Sequence, residues 1–118
     1  SDAEGVFARA LELRLAEAGA ASGDAAGLRS RMGECRLGVG DNEAAVDFFE
    51  KAVAVFVSKG DAYDLPRART LELMARGLDE LEQTDEARKA RSEALRVYLR
   101  TWDEDDPRVV EAKARLAE

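Results

Sequence analysis

Apolar residues return along this chain every three or four positions, the period of a helix with one buried face. Over 3–18 the stripe is Val6, Phe7, Ala10, Leu11 and Leu13, closed by the glycine-rich stretch from Gly19 to Gly23. A second stripe over 24–39 carries Leu28, Met32, Cys35 and Val39. Gly40 and Asp41 then supply a helix stop and an N-cap, which predicts a sharp reversal into a third helix over 42–58. That helix is apolar almost all round (Val46, Phe48, Phe49, Val53, Val55, Phe56, Val57) and is expected in the interior. Beyond Gly60 and Asp61 the pattern resumes over 65–82 with Leu71, Met74, Ala75, Leu78 and Leu81, and Pro66 falls in the first turn. Thr84 is read as the cap of a fifth helix over 85–101, and Asp106-Pro107 as the start of a sixth over 107–118. Alternating apolar and polar residues never persist and there is no Ile, so no strand competes.

The helices also resemble one another. Ala3, Ala45 and Ala87 are separated by steps of 42 residues, as are Ala10, Ala52 and Ala94. Phe7 and Phe49 keep the same step, and Arg91 breaks their column. Met32-Gly33, Met74-Ala75 and Leu116-Ala117 recur in register too. Similarity at a fixed spacing of roughly 20–50 residues marks a solenoid, whose units bury their apolar faces on one another. Small residues recur because antiparallel helices approach closely only where Ala or Gly meets a bulky group. Gly33 and Ala75 are therefore expected to face Ala45 and Ala87, with the aromatic beside them. The fold class expected is all-α, six antiparallel helices in one domain over 1–118.

Composition narrows the function. The chain has 118 residues, 46% hydrophobic and 36% charged, which fits a folded helical protein. A net charge of −7 and a pI near 4.7 argue against a nucleic-acid partner and against an anionic membrane. The longest apolar run, Ala52 to Val57, is far short of the ~20 residues that span a bilayer, and no secretory signal opens the chain. With a single cysteine, Cys35, this predicts a cytoplasmic segment.

The stretch from Leu28 to Val55, with Met32-Gly33, Gly40-Asp41, Ala45, Phe49 and Ala52, resembles a tetratricopeptide repeat. Leu71 to Leu95, with Met74-Ala75, Leu78, Ala87 and Ala94, resembles a second copy that departs at Ala75 and Arg91. By the same likeness 3–18 is the second helix of a partial repeat, 24–58 and 65–101 are repeats, and 107–118 is the first helix of a further one. The 42-residue spacing is similar to the repeats of kinesin light chains and of sensor arrays attached to large bacterial regulatory ATPases. The resemblance implies a superhelix that binds a peptide, a protein or another domain of its parent chain on a concave face. Carried over residue by residue, that face comprises Arg31, Glu34 and Leu37, then Arg69, Glu72, Leu73, Arg76 and Asp79, then Glu111 and Arg115. The plainer reading is an ordinary solvated surface with intrahelical pairs Glu72–Arg76 and Glu111–Arg115, each worth only ~0.2–0.5 kcal/mol. The variant that grips a carboxyl terminus uses asparagines beside lysines, and the only asparagine here is Asn42.

Candidate chemistry is sparse. There is no histidine, and one cysteine cannot build a zinc site, so neither an enzyme nor a metal or other cofactor is expected. Asp103 to Asp106 lacks the alternating ligands and glycine of a calcium loop, and the glycine runs lack the context of a phosphate cradle. Cys35 is expected as a buried structural thiol, and Tyr63 and Trp102 as packing lids. A second functional class stays open: the ligand- or signal-peptide-sensing domain of a bacterial transcriptional regulator, with an enclosed pocket near Leu37, Leu73 and Arg76. Apolar faces on the first and last helices also predict end-to-end self-association or a place within a longer array.

Overall fold

A computed structural model describes residues 2–18 and 22–117, with side chains described for 3–13 and 22–117. Residues 19–21 of the expected glycine-rich break and Glu118 lie outside the described residues. Six helices follow one another: α1 (Asp2–Ala18), α2 (Gly23–Gly38), α3 (Asn42–Lys59), α4 (Asp64–Glu80), α5 (Thr84–Thr101) and α6 (Pro107–Ala117). A short 3₁₀ turn, Asp61–Tyr63, joins α3 to α4, and no strand occurs among the described residues. Each helix packs on its neighbours in the chain, and α2 also touches α4. This gives a row of hairpins measuring 41 × 30 × 21 Å.

The repeat is visible in the element boundaries. α3 begins at Asn42 and α5 at Thr84, α3 ends at Lys59 and α5 at Thr101, so both ends shift by 42 residues. The turns repeat as well. After α2 the amide of Asp41 donates to the Arg36 carbonyl (2.9 Å) and that of Gly40 to Leu37 (3.1 Å). After α4 the amide of Gln83 donates to Leu78 (2.8 Å) and that of Glu82 to Asp79 (2.9 Å). Both are Schellman closures, which need a left-handed residue just past the cap. Gly40 fills that place at φ 84° and Glu82 at φ 62°. The carboxylate of Asp41 accepts from the amide of Ala44 (3.3 Å) and caps α3. Thr84 does not cap α5: the N-cap is Gln83, which makes no side-chain bond, and Thr84 is already helical. The sequence suggested otherwise because threonine is the better capping residue of the two.

The core follows the small-residue register. Ala45, Phe49 and Ala52 of α3, Ala75 and Leu78 of α4, and Ala87, Ala94 and Val97 of α5 are buried. The atoms nearest to Gly33 belong to the aromatic: a β-carbon on Gly33 would lie 2.5 Å from Cε1 of Phe49. An aromatic ring fills the notch directly because only glycine leaves it that much space. Gly77 supplies a second notch between hairpins, where a β-carbon would come within 2.9 Å of Val46 Cγ2. Ser30 and Thr70 join α2 to α4 through buried hydroxyls 2.9 Å apart. The Thr70 proton goes to the Pro66 carbonyl (2.8 Å), which leaves Ser30 as donor to Thr70.

Three local expectations change. Val39 is exposed because α2 ends at Gly38, one residue earlier. Cys35 is only partly covered. α3 is not wrapped on every side, and Val57 stands 50% exposed beyond its contacts with α2 and α4. Tyr63 and Trp102 do cover hairpin ends. Tyr63 stacks on Phe56 with centroids 5.5 Å apart and lies against Gly23, while Trp102 stacks on Tyr98 at 5.2 Å.

Candidate peptide-binding face

The first helices of successive hairpins, α2, α4 and α6, carry the side chains the sequence assigns to the inner surface. Arg31 and Glu34 of α2 and Arg69 of α4 line one groove of about 390 Å³, whose floor includes Gly27, Ser30, Phe56 and Thr70. Arg69, Glu72, Leu73 and Arg76 of α4 line a second of about 380 Å³ with Arg91 and Arg115. Leu37, Arg76 and Asp79 meet in a third of about 290 Å³, beside the turn at Gly40. Arg69 is common to the first two grooves and Arg76 to the last two, so all three are contiguous. Glu111 is exposed on α6 and lines none of them. Leu37 and Leu73 border different grooves rather than one enclosed pocket.

The charged groups pair between helices. Arg69 reaches Glu34 at 3.3 Å, from α4 to α2. Glu72 accepts from Arg115 of α6 through Nε at 2.9 Å and Nη2 at 2.5 Å, and from the Tyr98 hydroxyl of α5 at 2.8 Å. The expected pair of Glu72 with Arg76 is therefore replaced. Two residues from other helices engage both carboxylate oxygens, and bonds to an ionised acceptor are the stronger kind. Glu111 does approach Arg115, though at 3.9 Å, while the same guanidinium is committed to Glu72. Burial, and then the bond to Glu72, raise the Tyr98 hydroxyl far above its ordinary pKa, so it remains a donor. Arg31 lies over the Phe7 ring at 5.9 Å, and Arg76 has no ion-pair partner among the described residues.

Two participants were missed at the sequence level. Arg91 comes from the second helix of its hairpin, yet it lines the second groove and pairs with Asp79 at 2.6 Å. Its signal was present as the break in the aromatic column. Tyr98 is on the buried side of α5, but its hydroxyl's reach to Glu72 depends on tertiary geometry and leaves no mark in the sequence.

Among the described residues no group of three or more His, Cys, Asp or Glu could hold a metal ion. Asp106 instead binds Arg108 through the amide and Nε, both at 2.9 Å, and Nη2 at 2.7 Å. These bonds hold its carboxyl down at about 2, below the usual 3.8. Arg108 in turn lies 3.5 Å above the Trp102 ring.

Stacked helical hairpins of this kind define an all-α helical repeat protein. The family model for the tetratricopeptide repeat matches residues 24–100, and the chain belongs to that family. Its repeats generally mediate protein–protein interaction and are typically non-catalytic. No curated protein matches the chain significantly. No helix among the described residues is long and apolar enough to cross a membrane.

Proposed function

We propose that this protein is a docking or regulatory module of a larger cytoplasmic protein, and that it binds a peptide or a neighbouring domain along α2, α4 and α6. The binding residues are Arg31, Glu34, Leu37, Arg69, Glu72, Leu73, Arg76, Asp79, Glu111 and Arg115, joined by Arg91. The observation that carries this reading is the continuity of the three grooves through Arg69 and Arg76. A continuous trough bordered by apolar Leu37 and Leu73 and rimmed by charge suits an extended chain, which needs contact area together with fixed polar anchors. The separation of Leu37 from Leu73 favours this over a small-ligand sensor, which would need one enclosed cavity.

The test is selection of ligands from a random peptide library displayed on phage, followed by charge reversal. Arg69→Glu and Arg76→Glu should abolish binding of the selected peptides, and Arg96→Glu on the outer side of α5 should leave it unchanged. Selected peptides that bind all three variants equally would exclude the inner face.

A further inference from the structure

The charge on this protein is not spread evenly. The chain as a whole carries −7. On the inner face the five arginines 31, 69, 76, 91 and 115 stand against five acids, Glu34, Glu72, Asp79, Glu80 and Glu111, for a local sum of 0. The remainder of the chain therefore carries the whole −7. In the groove between α4 and α6 the contrast sharpens, since four of its six lining residues are arginines and only Glu72 is acidic. An acidic protein that gathers its arginines around one trough opposes its own mean field there, and such a patch attracts the opposite charge.

The internal pairings decide how much of that positive charge is free. Arg91 is satisfied by Asp79 at 2.6 Å and Arg115 by Glu72. Arg76 has no carboxylate among the described residues, and Arg31 faces only the Phe7 ring. Arg69 is 67% exposed and holds Glu34 by contacts of 3.3 and 3.5 Å, so its fork is available to a better-placed acceptor. Arg76 and Arg69 lie on one helix seven residues apart, two turns or about 10 Å along the axis. On an extended segment of polyproline II form, with three residues per turn and ~3.1 Å rise, acidic side chains three residues apart share one side and lie about 9 Å from each other.

We infer that the partner is an internal acidic segment, bound extended across α4 with its side-chain carboxylates on Arg69 and Arg76. This rests on the docking reading above and adds the charge class of the ligand. Guanidinium forks take carboxylates in two-bond geometry, which supplies register as well as attraction. Arg88, Lys89 and Arg96 on the outer side of α5 stand against Asp85 and Glu93, whereas the groove at Arg69 and Arg76 sets four arginines against Glu72 alone, so the acidic segment is drawn to the inner side.

The probe is a fluorescein-labelled peptide of repeated Glu-Gly-Gly units with an amidated C-terminus, so that no terminal carboxylate contributes. It is titrated by fluorescence anisotropy at low ionic strength, alongside the Lys-Gly-Gly counterpart. The Glu peptide should bind and the Lys peptide should not. Arg69→Ala and Arg76→Ala should each weaken binding about tenfold, the scale of one lost charge-assisted contact. Arg96→Ala on the outer side of α5 should leave it unaltered, and circular dichroism of each variant checks that the helices persist. Absence of Glu-peptide binding, or equal loss in all three variants, overturns the inference. The phage selection separates the two readings: selected inner-face ligands without acidic residues sink the acidic partner and leave the docking role standing, while no selected ligand at all removes both.

Discussion

Phe49 occupies the space that a side chain on Gly33 would need: a β-carbon there would fall 2.5 Å from Cε1 and 2.7 Å from Cδ1 of the ring. One repeat later the same two places hold Ala75 and Arg91. Alanine fills its own notch, and no ring could enter it. Arg91 turns instead to Asp79 at 2.6 Å and borders the inner groove. Notch and knob have thus changed together, and the second repeat gives up an aromatic anchor while gaining a charged group at the binding face.

Gly33→Ala sets two effects against each other. Alanine in place of a helical glycine gains up to ~1 kcal/mol of propensity, whereas overpacking costs ~1–3 kcal/mol. The contact is with a buried ring held by its surroundings, so the clash should win and the variant should lose ~1 kcal/mol or more. In a Phe49→Leu background the same change should cost less, with a coupling of at least ~0.5 kcal/mol in urea denaturation. Additive effects would show that the ring and the notch are independent.

Gly27→Ala is the control. It lies inside α2 with nothing within 4 Å of its missing β-carbon. Only the propensity gain remains, and the midpoint of urea unfolding should rise by the equivalent of ~0.5–1 kcal/mol.

The turn after α4 has the backbone of the turn after α2 without its residues. Glu82 sits at φ 62° where Gly40 sits at 84°. Gln83 holds φ −95° and ψ 65°, close to the −85° and 75° of Asp41, but makes no capping bond. Glu82→Gly should relieve a left-handed strain of ~1–2 kcal/mol, less the entropy glycine gains when unfolded, for a net rise of ~0.5–1 kcal/mol. Gln83→Asp should add ~1 kcal/mol by capping α5. Thermal or urea melts check both, and an unchanged midpoint for Gln83→Asp would mean that the cap does not form.

The helices and their 42-residue step were legible in the sequence because periodic burial and recurrent alanines are local signals. The turn at Gly40-Asp41 was legible for the same reason. Its repeat at Glu82-Gln83 was not, since neither residue advertises a left-handed turn or a cap, and Thr84 drew the assignment instead. The inner-face positions could be placed on their helices, but their pairing could not. Glu72 joins α5 and α6 through Tyr98 and Arg115, residues 26 and 43 positions away. Such contacts arise only once the hairpins stack.

Asp106 makes the start of α6 sensitive to acid. Its carboxyl is held at about 2 against an ordinary 3.8, chiefly by side-chain bonds from Arg108. A depressed folded value stabilises above the unfolded one, and the contribution is lost as pH falls from 3.8 through about 2. Arg108 also lies on Trp102, the only tryptophan, so its fluorescence should change across that window. In Asp106→Asn the change should be absent, and its persistence would assign the acid transition to another carboxylate.

The central claim is that ligands bind along α2, α4 and α6, and amide NMR of the labelled protein titrated with a phage-selected peptide tests it most directly. The account predicts shift changes concentrated on those helices from Arg31 to Asp79 and at Arg115, with the outer side of α5 around Arg88, Ser92 and Arg96 unmoved. Changes centred on that outer side, with the inner helices silent, would contradict it.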